Sequence, residues 1–232
     1  LPDNAVLVFN QTKVLPARFT VYKPSGGKAT LLYLSHDSDK IKVLSDRRLE
    51  TGMELKIDDK TKFTILNHAD KWYELKPHFP INKIESVLQQ HGRTPLPPYI
   101  KHTPLNKKQL EQQYQTVFAK TAGSAAAPTA SLHFSNRLMK QLRDLGITIE
   151  FVTLHVGLGT FAPVTPEQIK TKKLHLESYV IDKKTAAALN KAKQARRPII
   201  AVGTTAVRTL ESASDKSGKL INLTGATDLF IQ

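Results

Sequence analysis

Residues 153–164 read TLHVGLGTFAPV, and how this stretch is read decides the fold. Gly157-Leu158-Gly159-Thr160-Phe161-Ala162 satisfies G-x-G-x-x-G/A, the fingerprint of a dinucleotide-binding βαβ unit. In such a unit the pyrophosphate rests on the N–H groups of a helix that opens directly after the turn. Pro163 and Pro166 occupy that place here. Each biases the residue before it, Ala162 and Thr165, toward extended geometry, which postpones any helix to about residues 166–173. About two turns of helix are too short for the crossover that joins parallel strands. Asp182, after the strand-like SYVI, does fall where a ribose-binding carboxylate would be sought. The prolines weigh more, and the stretch reads as a strand ending in a glycine turn that lets a ligand or another backbone come close.

Outward from this stretch the chain has two textures. AVLVF, RFTVYK, ATLLYLS, KIKVLS, MELKI, KFTILNH and WYELK, between residues 5 and 78, alternate polar with apolar residues and are rich in β-branched and aromatic types. Turn signals separate them: Pro24-Ser25-Gly26-Gly27, His36-Asp37-Ser38-Asp39, Thr51-Gly52 and Asp58-Asp59. From residue 80 the period becomes helical. Ile81, Ile84 and Leu88 share a face that Gly92 can end, and Leu110, Tyr114, Val117 and Phe118 make a second stripe. Ser135 is placed to cap a helix carrying Leu138, Leu142 and Leu145, with Gly146 at its end. There follow the strands ITIEFVTLHV and SYVI, an Ala- and Lys-rich helix near 183–196, the strand PIIAV and a last helix from about Thr205. Strands alternating with helices predict a mixed α/β body, and the short strands predict an inserted small all-β barrel-like domain. The boundaries expected are 1–17 and 79–232 for the body and 18–78 for the insert.

Composition narrows the partners. The chain has 34 Lys and Arg against 20 Asp and Glu, a net charge of +14 that attracts a polyanion such as a nucleic acid. With no cysteine there is no disulfide framework and no thiolate chemistry, which fits a reducing cytoplasm. The eight histidines are scattered without a metal-ligand spacing, and no apolar run approaches a membrane span. The opening LPDNAVLVFN lacks an initiator Met and enters a strand-like run almost at once, which suggests a piece of a longer product.

Two further segments invite a ligand. In PIIAVGTTAVRTLES a buried-type strand runs into Gly203, and Thr204 or Thr205 can cap a helix whose first turns carry Arg208. N–H groups, a hydroxyl and a guanidinium would converge there on a carboxylate or phosphate; the bland alternative is an ordinary turn with Arg208 on the surface. AGSAAAPTASLHFSN (122–136) allows close approach of a flat or extended ligand, a flexible linker being its bland reading.

Seven blocks occur in order: VLVFNQTKVLPARF, GRTPLPPYI, YQTVFAKTAGSAAAPTASLHF, TLHVGLGTFAPV, LHLES, AVGTTAVRTLES and TDLFI. Together they resemble the S-adenosylmethionine:tRNA ribosyltransferase-isomerase family of queuosine biosynthesis. The resemblance implies transfer of the ribosyl part of S-adenosylmethionine to an aminomethyl-deazaguanine base in tRNA, with isomerisation to the epoxycyclopentane of epoxyqueuosine. Adenine and methionine would be released. S-adenosylmethionine would be a consumed substrate, so no cofactor and no metal are expected, and the partners would be precursor tRNA and no membrane. Ser131 stands where the family has glycine, so a turn needing positive φ there would be strained. The family also extends further at both ends.

On this resemblance the base that removes a proton acidified by the sulfonium is sought among His133, His155, His175 and Glu177. Arg18 and Arg208 are candidates for a carboxylate or phosphate, and Tyr99 and Phe134 for stacking. Thr129, Gly157, Gly159, Thr160, Gly203, Thr204 and Thr205 complete the expected substrate contacts. The expectation is that the segments 124–134, 155–161 and 202–208 meet around one pocket. Two rivals stay open: a non-catalytic RNA-binding module, and a nucleotide-dependent oxidoreductase using residues 157–162.

Overall fold

The computed structural model describes residues 1–69, 72–97, 100, 102–157 and 164–231. The chain packs as two compact units, Leu1–Lys13 with Gln113–Gln232, and Val14–Gln112. It opens on β1 (Val6–Asn10) and β2 (Thr12–Val14) and then enters a closed barrel of β3 (Arg18–Tyr22), β4 (Lys28–His36), β5 (Ile41–Ser45), β6 (Glu54–Lys56), β7 (Lys62–Ala69) and β8 (Trp72–Pro77). The barrel order is β3-β4-β5-β8-β7-β6, every pair antiparallel, and Tyr22 against Lys56 closes it. Each expected turn signal falls between two of these strands. Alternation does the work: Phe19, Val21, Leu31, Val43, Leu55, Phe63, Ile65 and Leu75 are buried while their neighbours in sequence face outward.

In the same unit a 3₁₀ turn (Ile81–Lys83) leads into α1 (Ile84–His91), which buries Ile84 and Leu88 and ends at Gly92 as its spacing predicts. Gly92 is extended, with φ −81°, so it is not there for a left-handed turn. A Cβ on it would stand 1.8 Å from the Pro16 carbonyl oxygen and 2.4 Å from that of Leu88, so contact alone demands glycine. The second stripe behaves differently. Helix α2 (Lys107–Gln113) stops before Tyr114, and the chain turns, with Ala119 N–H donating to the Thr116 carbonyl. Tyr114 is buried and Phe118 packs on Phe9, but Val117 is 48% exposed, so the spacing came from a helix followed by a turn and not from one helix.

The other unit continues with β9 (Thr121–Ser124), a 3₁₀ turn (Thr129–His133), α3 (Asn136–Asp144), β10 (Thr148–Leu154), α4 (Pro166–Thr171), β11 (Lys173–Val180), α5 (Lys183–Gln194), β12 (Ile199–Ala201), α6 (Thr204–Ala213) and β13 (Thr224–Leu229). The Ser135 hydroxyl caps α3 by accepting from Leu138 N–H, and Gly146 follows at φ 79°. Leu145 is the exception: it forms the C-cap, is 75% exposed, and leaves Met139 and Leu142 as the buried residues of α3.

Five strands form a mixed sheet, β12-β1-β10-β11-β13. β1 runs parallel to both β10 and β12, whereas β10–β11 and β11–β13 are antiparallel. β1 is buried throughout, as a strand covered on both faces must be. Val6 and Val8 join Leu154, Tyr179, Leu189 and Ala206 on one face, and Leu7 and Phe9 join Met139 and Leu142 on the other. This topology disposes of the dinucleotide reading. The segment after β10 returns as β11 antiparallel to it, Leu154 opposite Tyr179, so no parallel crossover exists there. Thr165 and Gln168 make a reciprocal capping box on α4, whose six residues begin at Pro166 as the prolines dictate. The Asp182 carboxylate caps α5 through Thr185 N–H at 2.8 Å, which accounts for an acid at that position without a ribose.

Candidate functional site

The site lies where β10 ends. Asn10, at the end of β1, accepts from Leu154 N–H at 3.1 Å and donates to the Leu154 carbonyl at 2.9 Å, and it also accepts from Thr12 N–H. One buried amide thus takes over the ladder where β1 and β10 part, and it fixes the exit of His155, Val156 and Gly157.

Three layers meet that exit. The first is the small-residue segment: Val156 N–H donates to Ser124 Oγ at 2.8 Å, and Ala125 N–H donates to the Val156 carbonyl at 2.9 Å. Ser124, Ala125, Ala126, Ala127 and Ser131 are all buried, so the segment is a packed part of the body and not a linker. Smallness is needed here, since a Cβ on Gly123 would lie 2.6 Å from His155 Nδ1. The second layer is the turn before α6. Gly203 has φ +86°, and a Cβ on it would sit 3.1 Å from that of Ala130, so this turn presses on the segment too. Neither Thr204 nor Thr205 caps α6 as expected: Gly203 is its N-cap, both threonines lie inside the helix, and no side chain caps it, so the first N–H groups have no acceptor within the helix.

The third layer is a buried ion pair. Glu177 on β11 and Arg208 on α6, 5% and 6% exposed, bond directly through Oε2 and Nη1. Glu177 Oε1 accepts from Gly157 N–H at 2.6 Å, and Arg208 Nη2 donates to the Thr227 carbonyl at 3.1 Å. Strand β13, helix α6, strand β11 and Gly157 are therefore tied at one point. Arg208 is not the surface residue of the bland reading, and its Nε is buried with no hydrogen-bond partner among the described residues. Close by, Tyr179 OH donates to the Ser212 carbonyl at 3.1 Å, and burial pushes its phenol up.

The segments 124–134 and 202–208 and the described part of 155–161 are thus neighbours. Around them His133 and Thr129 are exposed on the 3₁₀ turn, Thr204 is exposed and Thr205 half-buried on α6, and His175 is exposed on β11. The Phe134 ring is already engaged, edge-on to Phe9 at 4.7 Å. Arg18 belongs to the barrel unit, exposed at the start of β3, its backbone bridged to Arg93. Tyr99, Gly159 and Thr160 lie outside the described residues. Ser131 has no positive φ, so the feared strain is absent; its hydroxyl is buried and without a hydrogen-bond partner among the described residues. Among the described residues no group of three or more acids and histidines can hold a metal ion. No helix there is long and apolar enough to cross a membrane. Sequence reasoning missed Asn10, Thr12 and Ser124. Their signal was small polar residues in strands that otherwise read as buried, which requires partners.

The fold and the site define a mixed α/β protein with a barrel, in which Gly157 bonds to, and the helix that Gly203 opens contributes to, a buried carboxylate–guanidinium pair. The chain belongs to the queuosine biosynthesis protein family, whose model matches residues 1–232. It is 41% identical to an S-adenosylmethionine:tRNA ribosyltransferase-isomerase of Treponema denticola, matching all of this chain and 69% of that protein. Proteins of the same name from Ralstonia nicotianae and Caldanaerobacter subterraneus are 41% and 40% identical, with 97% and 100% of this chain matched to 63% and 68% of theirs. The chain therefore spans roughly two thirds of the length of these relatives. A crystal structure of an S-adenosylmethionine tRNA ribosyltransferase from Thermotoga maritima matches at 25% identity and TM-score 0.38, over 100% of this chain and 62% of that one.

Proposed function

We propose that this chain carries the S-adenosylmethionine site of a cytoplasmic tRNA ribosyltransferase-isomerase. It would move the ribosyl group to an aminomethyl-deazaguanine base in tRNA, giving epoxyqueuosine-tRNA and releasing adenine and methionine. The observation that carries the reading is the convergence of Ser124–Ala130, His155–Gly157 and Gly203–Arg208 on the Glu177–Arg208 pair. Glycine and alanine allow the backbone to approach a nucleoside, while the α6 N–H groups with Thr204 and Thr205 suit the methionine carboxylate. Arg208 and Glu177 occupy one another, so they hold the site's walls together, and the base falls to the histidines. The +14 charge fits a tRNA partner, and α5 contributes to it with four lysines and no carboxylate between Lys183 and Gln194.

The test is incubation with labelled S-adenosylmethionine and precursor tRNA, followed by assay for free adenine. Adenine release that requires both substrates is the expected result. tRNA binding with no consumption of S-adenosylmethionine would favour the RNA-binding module instead.

A further inference from the structure

We propose that the outward face of α5, carried on through Arg196, is a docking surface for the phosphodiester backbone of RNA. That the RNA is a tRNA rests on the functional reading above, whereas the surface follows from its own charges and from what they cost the helix.

Helix α5 buries Thr185, Ala186, Leu189 and Ala192, which leaves Lys183, Lys184, Lys191 and Lys193 exposed on its other sides. Lys184 and Lys191, seven residues apart, stand one above the other at about 10 Å along the helix, with only the methyl group of Ala187 between them. Arg196 is exposed just beyond the C-cap. Among the described residues none of these five cations pairs with a carboxylate, whereas Lys107, Lys140 and Lys173 each do. The acids at the start of α5 are engaged otherwise. Asp182 accepts from Thr185 N–H at 2.8 Å, and its second oxygen and Glu150 Oε2 each lie 3.1 Å from the Thr185 hydroxyl.

Three of the cations stand against local preference. Lys183 and Lys184 open the helix, where the macrodipole favours acids. Arg196 has φ 53°, in the left-handed region that glycine enters freely and a residue with a side chain does not. It is the glycine-favouring position of a Schellman ending: Arg196 N–H donates to the Lys193 carbonyl at 2.9 Å, and Arg197 N–H donates to that of Ala192 at 3.0 Å. Cations kept where they cost the helix stability, and unpaired within the chain, point to an anion outside it.

Spacing gives the form of that anion. A single phosphate or carboxylate needs donors that converge, but these cations run along the twelve residues of α5, about 18 Å, as a row of phosphates would. A helix that lies on a lipid surface turns its apolar face outward, whereas Ala186, Leu189 and Ala192 of α5 are packed in the core with Leu154 and Tyr179.

The experiment is fluorescence titration with an unmodified tRNA transcript, without S-adenosylmethionine, at several salt concentrations and with Tm recorded for each protein. The Lys184→Gln, Lys191→Gln double variant and Arg196→Gly are compared with wild type and with Lys140→Gln, Lys173→Gln, a control of the same charge loss as the double variant. The slope of log K against log salt should fall by about one for each α5 cation removed, while the control keeps the wild-type slope. Arg196→Gly should bind RNA more weakly and yet unfold about 1–3 °C higher, because glycine relieves the left-handed residue. That opposition of signs is what a merely structural Arg196 would not give, and either α5 variant suffices if the other does not fold. No RNA binding by the wild type, a control as weakened as the double variant, or undiminished RNA binding by Arg196→Gly would overturn the proposal. So would α5 variants that keep RNA and lose only vesicles of anionic phospholipid, which would make the partner a membrane surface. Neither S-adenosylmethionine nor the modified base is present, so failure here is distinguishable from failure of the adenine-release test.

Discussion

Arg208 shows how one residue changes meaning between sequence and structure. In the sequence it is a cation in the first turns of a helix, available to a ligand; in the fold it is buried and spends its charge on Glu177. Removing one member of such a pair leaves an uncompensated charge out of water, which costs about 3–5 kcal/mol, while removing both costs far less than the sum. Urea unfolding should therefore show Arg208→Met destabilised by about that amount, and the Glu177→Gln, Arg208→Met double variant less destabilised than the two single losses added together. Additive losses would mean that the pair is not coupled. Nothing in the sequence around Arg208 could have shown this, because its partner lies 31 residues away on a strand. Ser131 is the converse case: a turn needing positive φ would strain it, and the structure takes the residue into a 3₁₀ turn where no such φ is needed.

At the scale of elements, period-2 alternation and turn chemistry placed every barrel strand, since each one shields its own inner face. The prolines after residue 162 likewise place a short helix at about residues 166–173, and α4 runs Pro166–Thr171. Direction was not legible. That β11 returns antiparallel depends on long-range pairing with β10 and β13, which no local pattern encodes. Close approach was legible only in part, because a glycine in the sequence does not say whether it serves φ or contact. Gly92 serves contact. Gly92→Ala would drive a methyl into the Pro16 carbonyl, and backbone yields less readily than a flexible side chain. A loss of about 1–3 kcal/mol or more is expected in thermal or urea unfolding, and a neutral result would mean that α1 shifts freely against Pro16.

For the whole molecule the account joins charge to site. Family membership is established by a match over the full chain, while the substrates of this chain are inferred from how its segments converge. The tRNA part predicts that affinity falls about tenfold or more between 50 and 200 mM salt, as expected when two or more phosphates are neutralised. A flat salt profile in a filter-binding or fluorescence titration would remove the polyanion argument. The S-adenosylmethionine part is tested most directly at Gly157. A Cβ there would lie 3.6 Å from Glu177 Oε1, an ordinary contact, so among the described residues nothing obstructs Gly157→Ala, and the variant probes a ligand that comes close. The decisive measurement is calorimetric titration of S-adenosylmethionine into wild type and Gly157→Ala, with Tm recorded for both. The account predicts saturable binding by the wild type and at least tenfold weaker binding, about 1.4 kcal/mol, by a variant of unchanged Tm. Absence of wild-type binding, or equal affinity in the variant, would contradict it.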